Sequence, residues 1–289
     1  MSLELVGNIA LDSVAYAMIL FMITIGLSMT MGLLRIVNLA HGAFAMMGGF
    51  LAASLPSWLG TSTWVSIVVA VAAVALLALP VERWLLRRFY GRGELDQMLV
   101  TIGFMFICVA LANTVFGSGI VSVPLPSALQ GSVEIGPRLL QKHRIFVMLL
   151  GLAVLGILWF AVERSSFGIK VRAAVDNAAI AQAIGIDTAR VYAIAFCIGA
   201  ALAALGGIVG AELLPMEASY ASKYLVLFLA VVAVGGQGTL FGSFVAALLL
   251  GGVETTVKYL LPQVSSIAFF LTMFLVLLVR PQGLFGRRV

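Results

Sequence analysis

Residues 224–253 read YLVLFLAVVAVGGQGTLFGSFVAALLLGGV, thirty consecutive positions without a charged side chain. As one helix this run would be about 45 Å long, against a bilayer core of about 30 Å. It is also cut by Gly235, Gly236, Gln237 and Gly238, a cluster that favours a break over a continuous helix. The run therefore predicts two inserted helical pieces joined at a glycine-rich break. Backbone groups released by such a break survive at membrane depth only where protein or a water-filled cavity surrounds them. The chain reads as polytopic, with irregular backbone inside it.

The rest of the sequence points the same way. Of 289 residues, 62% are hydrophobic and only 10% charged, a composition outside the range of soluble globular domains. Charge-poor runs of spanning length fall at 13–34, 97–133, 145–162, 191–211 and 259–279. Residues 42–81 suffice for two more spans, turning near Pro56, Gly60 and Thr61, and the run from 97 should end near Gly117 or Gly119. The expected fold class is all-α, with eight or nine inserted helices, some broken, and residues 1–289 forming a single transmembrane domain. The count turns on the pieces after His41 and before Gly235. The amino-terminal segment carries Glu4 and Asp12 but no Lys or Arg, so the first run is expected to be a retained helix, not a signal peptide. Cys108 and Cys197 sit in apolar runs and read as small apolar residues.

A pI near 9.5 does not indicate nucleic acid, because the basic residues lie in short clusters between apolar runs. Alternating the connections puts 12 of the 17 basic residues on one side, among them Arg35, Arg83, Arg87, Arg88, Arg92, Arg164, Lys170, Arg190, Arg280, Arg287 and Arg288. That asymmetry predicts an outside amino terminus and a cytoplasmic carboxy terminus. Arg138, Lys142 and Arg144 form a discordant cluster on the other side. Residues 33–50 and 231–252 share a helix, a polar break and a glycine-rich continuation, which suggests a parallel internal repeat.

Several chemistries lack their residues. None of the four lysines follows a glycine, so there is no phosphate-binding Gly-Lys-Ser/Thr loop and no expected ATP site. His41 and His143 have no HExxH context or ligand spacing, and no metal or other cofactor is expected. No Ser is paired with a His or Lys base as a hydrolase would need, and no TVGYG-type filter occurs. Asp12, Glu212, Glu217 and Glu254 all map near outer helix ends, which disfavours an ion-coupled carrier. What remains is a scaffold whose energy comes from elsewhere.

Two constellations stand out. Within the expected cytoplasmic segment 163–190, the stretch from Arg172 to Gly185 predicts a short helix, capped by Asp176 at its start and closed by a left-handed Gly185. Ala178, Ala179, Ala181 and Ala183 would give it a smooth surface. So short a helix is unstable alone but can lie in another protein's groove; a solvated loop helix is the plainer alternative. The second constellation is Asn38, His41 and Gly42 at one break, with Gly235 to Gly238 at the other. These are candidate pathway stations, or else groups that merely satisfy freed backbone and pack closely. Trp58, Trp64 and Trp84 fit an aromatic belt.

The 172–185 stretch resembles the EAA-type loop of ABC importer permeases, with Asp176 where the more familiar version has Glu. Further matches are Leu34-Arg-Ile-Val-Asn-Leu-Ala-His-Gly42, Val81-Glu-Arg83, Thr101-Ile-Gly103 and Arg280-Pro-Gln-Gly-Leu-Phe-Gly286. In this order and over nearly the whole chain, they resemble LivH-type permeases of branched-chain amino acid ABC transporters. The resemblance departs after Gly42, where the chain reads Ala-Phe-Ala-Met-Met-Gly-Gly-Phe, and in the basic loop 82–90. It implies an inner-membrane subunit forming half of a translocation pathway beside a second permease. Two ATPase subunits would dock on Arg172, Asp176, Ala178, Ala179 and Gly185, and a periplasmic binding protein would deliver substrate. Urea, amides or other amino acids are alternative substrates, and a stand-alone ion-coupled carrier or facilitator is the reading from another class.

Overall fold

A computed structural model describes residues 3–34, 37–135 and 138–286; Arg35, Arg287 and Arg288 of the basic count lie outside them. Helix α1 (Leu3–Met29) continues as a π-helical turn over Thr30–Leu34. After the first break come α2 (His41–Leu59), α3 (Thr63–Pro80) and α4 (Glu94–Phe116). Gly60, in the left-handed region at φ 62°, ends α2, and the Ser62 hydroxyl caps α3 by accepting from the Val65 amide. Glu94 and Asp96 place negative charge at the start of α4.

Between α4 and α5 (Lys142–Trp159) lies an antiparallel pair, β1 (Ser132–Ile135) and β2 (Arg138–Gln141), in the register Val133 opposite Leu140. Then follow α6 (Ser166–Asp176), α7 (Ala178–Ala183), α8 (Thr188–Gly210) and the single turn α9 (Tyr220–Lys223). Helices α10 (Leu225–Gly235), α11 (Leu240–Leu260) and α12 (Ser265–Val279) complete the described chain.

Among the described residues, eight helices are long and apolar enough to cross a membrane. The piece before Gly235 is the exception. Helix α10 has 11 residues, about 16 Å of helix, and reaches only partway. The piece after His41 is a full 19-residue helix. Three boundaries move from their expected places. The first helix begins well before residue 13. Tyr259 belongs to α11, and the last helix starts only after a turn opened by Pro262. The β1–β2 hairpin was not expected at all.

The first helix is the axis of the bundle, and 89% of its apolar window is buried. It packs on α5, α8, α10 and α11. Contact is close because glycines face it. Gly26 lies against Gly199 of α8, Gly206 of α8 against Ile23, and Gly151 of α5 against Met18. In lipid, tail solvent is as apolar as leucine, so such close approach supplies the packing energy that exclusion of water supplies elsewhere. The windows of α3, α4 and α5 are 22% buried and that of α12 only 11%, which leaves those helices facing outward.

Charge is concentrated at the two ends. At the amino-terminal end Asp12 pairs with Arg144 and accepts from the Tyr259 hydroxyl. Tyr16 donates to Glu254 at 3.0 Å, and His143 Nδ1 lies 2.9 Å from Glu212. The discordant Arg144 thus has a local partner. The opposite end carries the helix breaks, α6, α7 and residues 280–286.

A methyl group added at Gly26 would meet the Gly199 Cα at 2.6 Å and carbonyl carbon at 2.8 Å, whereas one at Gly103 meets nothing within 4 Å. Gly26→Ala should therefore destabilise the protein by about 1–3 kcal/mol. Gly103→Ala should be neutral or slightly stabilising through helix propensity. Thermal unfolding in detergent of the two variants checks the contrast.

Candidate functional site

The first break starts where α1 ends. Residues 37–40 turn back toward the middle of α1, so that His41, the first residue of α2, is 2% exposed and its Nε2 donates to the Ile23 carbonyl at 2.9 Å. Asn38 is equally buried; its Oδ1 accepts from the Ala40 amide at 3.1 Å, while its Nδ2 has no partner. Gly42 lies against the backbone of Ala221. Thr101 of α4 sits 3.2 Å from the Leu39 amide and 3.3 Å from the Val37 carbonyl. The Thr101-Ile-Gly103 stretch thus braces this break, a role its sequence alone did not reveal.

The second break is the turn from Gly236 to Thr239, with Gly236 at φ 92° and Gly238 at φ 76°. Its freed groups are accounted for nearly one by one. The Gly238 amide donates to Ser28 of α1, to the carbonyl at 3.1 Å and the hydroxyl at 3.2 Å. Thr239 Oγ1 serves the carbonyls of Gly235 and Gly236 at 3.1 and 2.7 Å. Residues of the Arg280–Gly286 stretch double back to supply the rest: Leu284 N donates to Val234 O at 2.7 Å and Phe285 N to Gly235 O at 3.2 Å. These carbonyls end α10 and would otherwise be unpaired. Gly235 and Gly236 are buried, whereas Gln237 and Gly238 are exposed at the tip. The two breaks meet, because Gly238 packs on Gly32 in the π-helical turn that leads to residue 35.

The segment 163–190 forms two helices where one was expected. Asp176 does not cap the short helix; it is the exposed last residue of α6. The cap is Asn177, extended at φ −156°, whose Oδ1 accepts from Ile180 N at 3.0 Å. An amide oxygen one residue later fits the backbone turn, and the chain kinks there. Gly185 is left-handed at φ 87°, as expected. Ile186 N donates to Ala181 O at 2.9 Å and Gly185 N to Gln182 O at 3.0 Å, the paired bonds of a Schellman closure.

Helix α6 is tied to the bundle. Val171 and Ala174 pack with Val191, the Tyr192 hydroxyl donates to Ala174 O at 2.8 Å, and Arg172 donates to Val162 O at 2.6 Å. Arg172 is therefore a strut between α6 and the end of α5, with Glu163 at 3.7 Å. Helix α7 projects from this base. Ala178 is half-buried, Ala179 and Ala183 are exposed, and Ile180 and Ile184, four residues apart on one face, are 61% and 70% exposed. The alanines drew attention in the sequence, but the isoleucines are what protrudes. Helix α6 also touches the π-helical turn Thr30–Leu34. The protruding segment, the end of α1 and both breaks are thus one chain of contacts.

Comparison with known proteins identifies the family. Residues 9–278 match the family described as branched-chain amino acid transport system / permease component. The chain is 28% identical over 280 residues to the high-affinity branched-chain amino acid transport system permease protein LivH of Escherichia coli, covering 92% of this chain and 91% of that one. It is 27% identical over 304 residues to BraD of Pseudomonas aeruginosa, with 98% and 95% covered. It also matches LivM of Salmonella typhimurium, at 27% identity over 311 residues, with 97% and 71% covered. Among solved structures, PsaBC from Streptococcus pneumoniae in complex with Fab aligns with 93% of this chain and 89% of its own, at 13% identity and a TM-score of 0.49, a likeness that carries no functional argument. With eight apolar spans among its described residues and a match running almost from end to end, this multi-pass inner-membrane chain belongs to the branched-chain amino acid transport system permease family.

Proposed function

We propose that this chain is one of two permease subunits of an ABC importer for leucine, isoleucine, valine or close analogues, and that it forms half of the translocation pathway. Similarity to both LivH and LivM supports a pore of two related chains. The amino-terminal end faces outside, toward a periplasmic binding protein, and the end bearing α6 and α7 faces the cytoplasm and two ATPase subunits. In this reading residues 1–289 are one transmembrane domain, and 163–190 is its coupling segment. The chain itself hydrolyses no ATP and carries no cofactor.

The observation that carries the reading is α7. Six residues cannot hold a helix in water unaided, yet this one is capped at both ends, mounted on a packed base, and presents bare Ile180 together with bare Ile184 at its C-cap. Such a knob fits a groove on a partner. Closure of the ATPases would move α7 and α6, and the contact of α6 with Thr30–Leu34 would pass that displacement to Gly32, Gly238 and the breaks. A ligand or partner can shift such an equilibrium only through contacts that differ between the states, and α7 supplies those contacts. Asn38, with an unpaired Nδ2, and exposed Gln237 are candidate polar stations within the two breaks.

Three outcomes are expected. Ile180→Asp combined with Ile184→Asp should leave the chain folded, because both side chains are exposed, but should reduce recovery of the ATPase subunits with the purified permease by tenfold or more (two apolar anchors at about 1–2 kcal/mol each). Undiminished recovery contradicts the docking role. In proteoliposomes, leucine uptake should require the assembled complex, ATP and the binding protein. Gradient-driven uptake by this chain alone would establish a stand-alone carrier instead. Gly238→Val, strained at φ 76° and pressed on Gly32, should slow uptake at least tenfold without releasing the ATPases. Assaying uptake and subunit recovery on the same preparation checks it.

A further inference from the structure

Beside the base of α8 is a cleft of about 330 Å³ lined by Glu82, Arg83, Arg87, Asp187, Ala189 and Arg190. Its acids are already engaged. Glu82 is 1% exposed and accepts from the Tyr90 hydroxyl at 2.6 Å. Asp187 caps α8 through the Arg190 amide at 3.0 Å and pairs with Arg190 Nε at 2.8 Å. Among the described residues, Arg83 and Arg87 have no carboxylate within ion-pair distance. The cleft therefore presents two uncommitted guanidinium groups, geometry suited to the oxygens of a phosphate.

Its surroundings say which phosphate. The cleft lies where α3 leaves the apolar zone. Leu76 and Leu77 near the end of α3 are 70% and 48% exposed, and the chain runs from there through a π-helical turn over Val81–Leu85 and a 3-10 turn over Leu86–Phe89 that carry Arg83 and Arg87. Trp84, 71% exposed, stands beside the arginines as an interfacial anchor. Only 22% of the α3 window is buried, leaving bare apolar surface for acyl chains along the helix that leads into the cationic cleft. A free anion would need the arginines but not the apolar surface or the tryptophan.

We propose that this cleft binds the headgroup of an anionic phospholipid, with its acyl chains along the exposed side of α3. The site depends only on the membrane location of the chain, and not on its substrate or its partners. Since Asp187 and Arg190 also follow directly on Gly185, a bound lipid would brace the root of the segment that carries α7.

The test uses the full-length chain purified from membranes and exchanged into nanodiscs of equal phosphatidylglycerol and phosphatidylcholine. Native mass spectrometry then counts the lipids retained on release. Wild type should retain phosphatidylglycerol over phosphatidylcholine by about tenfold or more, as expected for two arginines at a headgroup. Arg83→Gln with Arg87→Gln should bring the ratio close to one, Arg83→Lys with Arg87→Lys should keep most of it, and Arg280→Gln should not change it. Brominated phosphatidylglycerol should quench the fluorescence component that Trp84→Phe removes, a readout that needs no arginine variant to fold. Equal retention by wild type and the double Gln variant, or quenching no greater than with brominated phosphatidylcholine, overturns the site. Full displacement of the retained lipid by millimolar inorganic phosphate would identify a small-anion site and overturn the lipid assignment.

Discussion

Backbone polar groups released inside a membrane must find partners within the protein, and the architecture of this chain is organised around that constraint. Two helices begin or end at depth, α2 at His41 and α10 at Gly235. Around each, the exposed amides and carbonyls are taken up by a small set of groups: Asn38 and Thr101 at the first break, Ser28, Thr239 and the Leu284–Phe285 backbone at the second. Each such bond costs little to keep and several kcal/mol to leave unmade in an apolar setting. The breaks are therefore stable features, and any motion through them has to exchange partners and not merely lose them.

In the proposed coupling, the parts that move are those gathered at the end that carries the breaks, α6 and α7. The π-helical turn of α1 touches α6 on one side and, through Gly32, Gly238 on the other. The glycine contacts of α1 with α8 leave little room for the helix to deform along its length, so it would carry displacement as a rigid lever. The opposite end is tied by Asp12 to Arg144 and Tyr259 and by Tyr16 to Glu254, which gives that lever a fixed end. Coupling of this kind needs no polar site of high chemical reactivity, consistent with the family to which the chain belongs.

Much of this was legible in the sequence, for identifiable reasons. Charge-free runs and glycine punctuation depend on local composition, so the spans, the break at Gly235–Gly238 and the left-handed Gly185 could be read directly. The features that were missed depend on which residues meet across the fold. Asp176 and Asn177 are both good cap residues, and only the kink between α6 and α7 selects the second. Thr101 and Ser28 looked like stray polar residues until the breaks they serve lay beside them. The hairpin has short strands with weak alternation, and the Arg280–Gly286 stretch carries no periodicity, so its service to α10 could not be inferred from spacing. Ile180 and Ile184 were hidden by context, since in this composition an isoleucine attracts no notice until it is seen standing clear of the protein.

The central claim is that the contacts at the breaks change when the end bearing α6 and α7 is driven. Hydrogen–deuterium exchange at the Gly238, Leu284 and Phe285 amides of the assembled transporter, compared with and without bound ATP, tests it most directly. These three amides hold the second break closed. The account predicts that their exchange rates shift together on ATP binding, by tenfold or more, while amides in the middle of α1 stay protected. Unchanged exchange at all three in a complex that still imports substrate would contradict it.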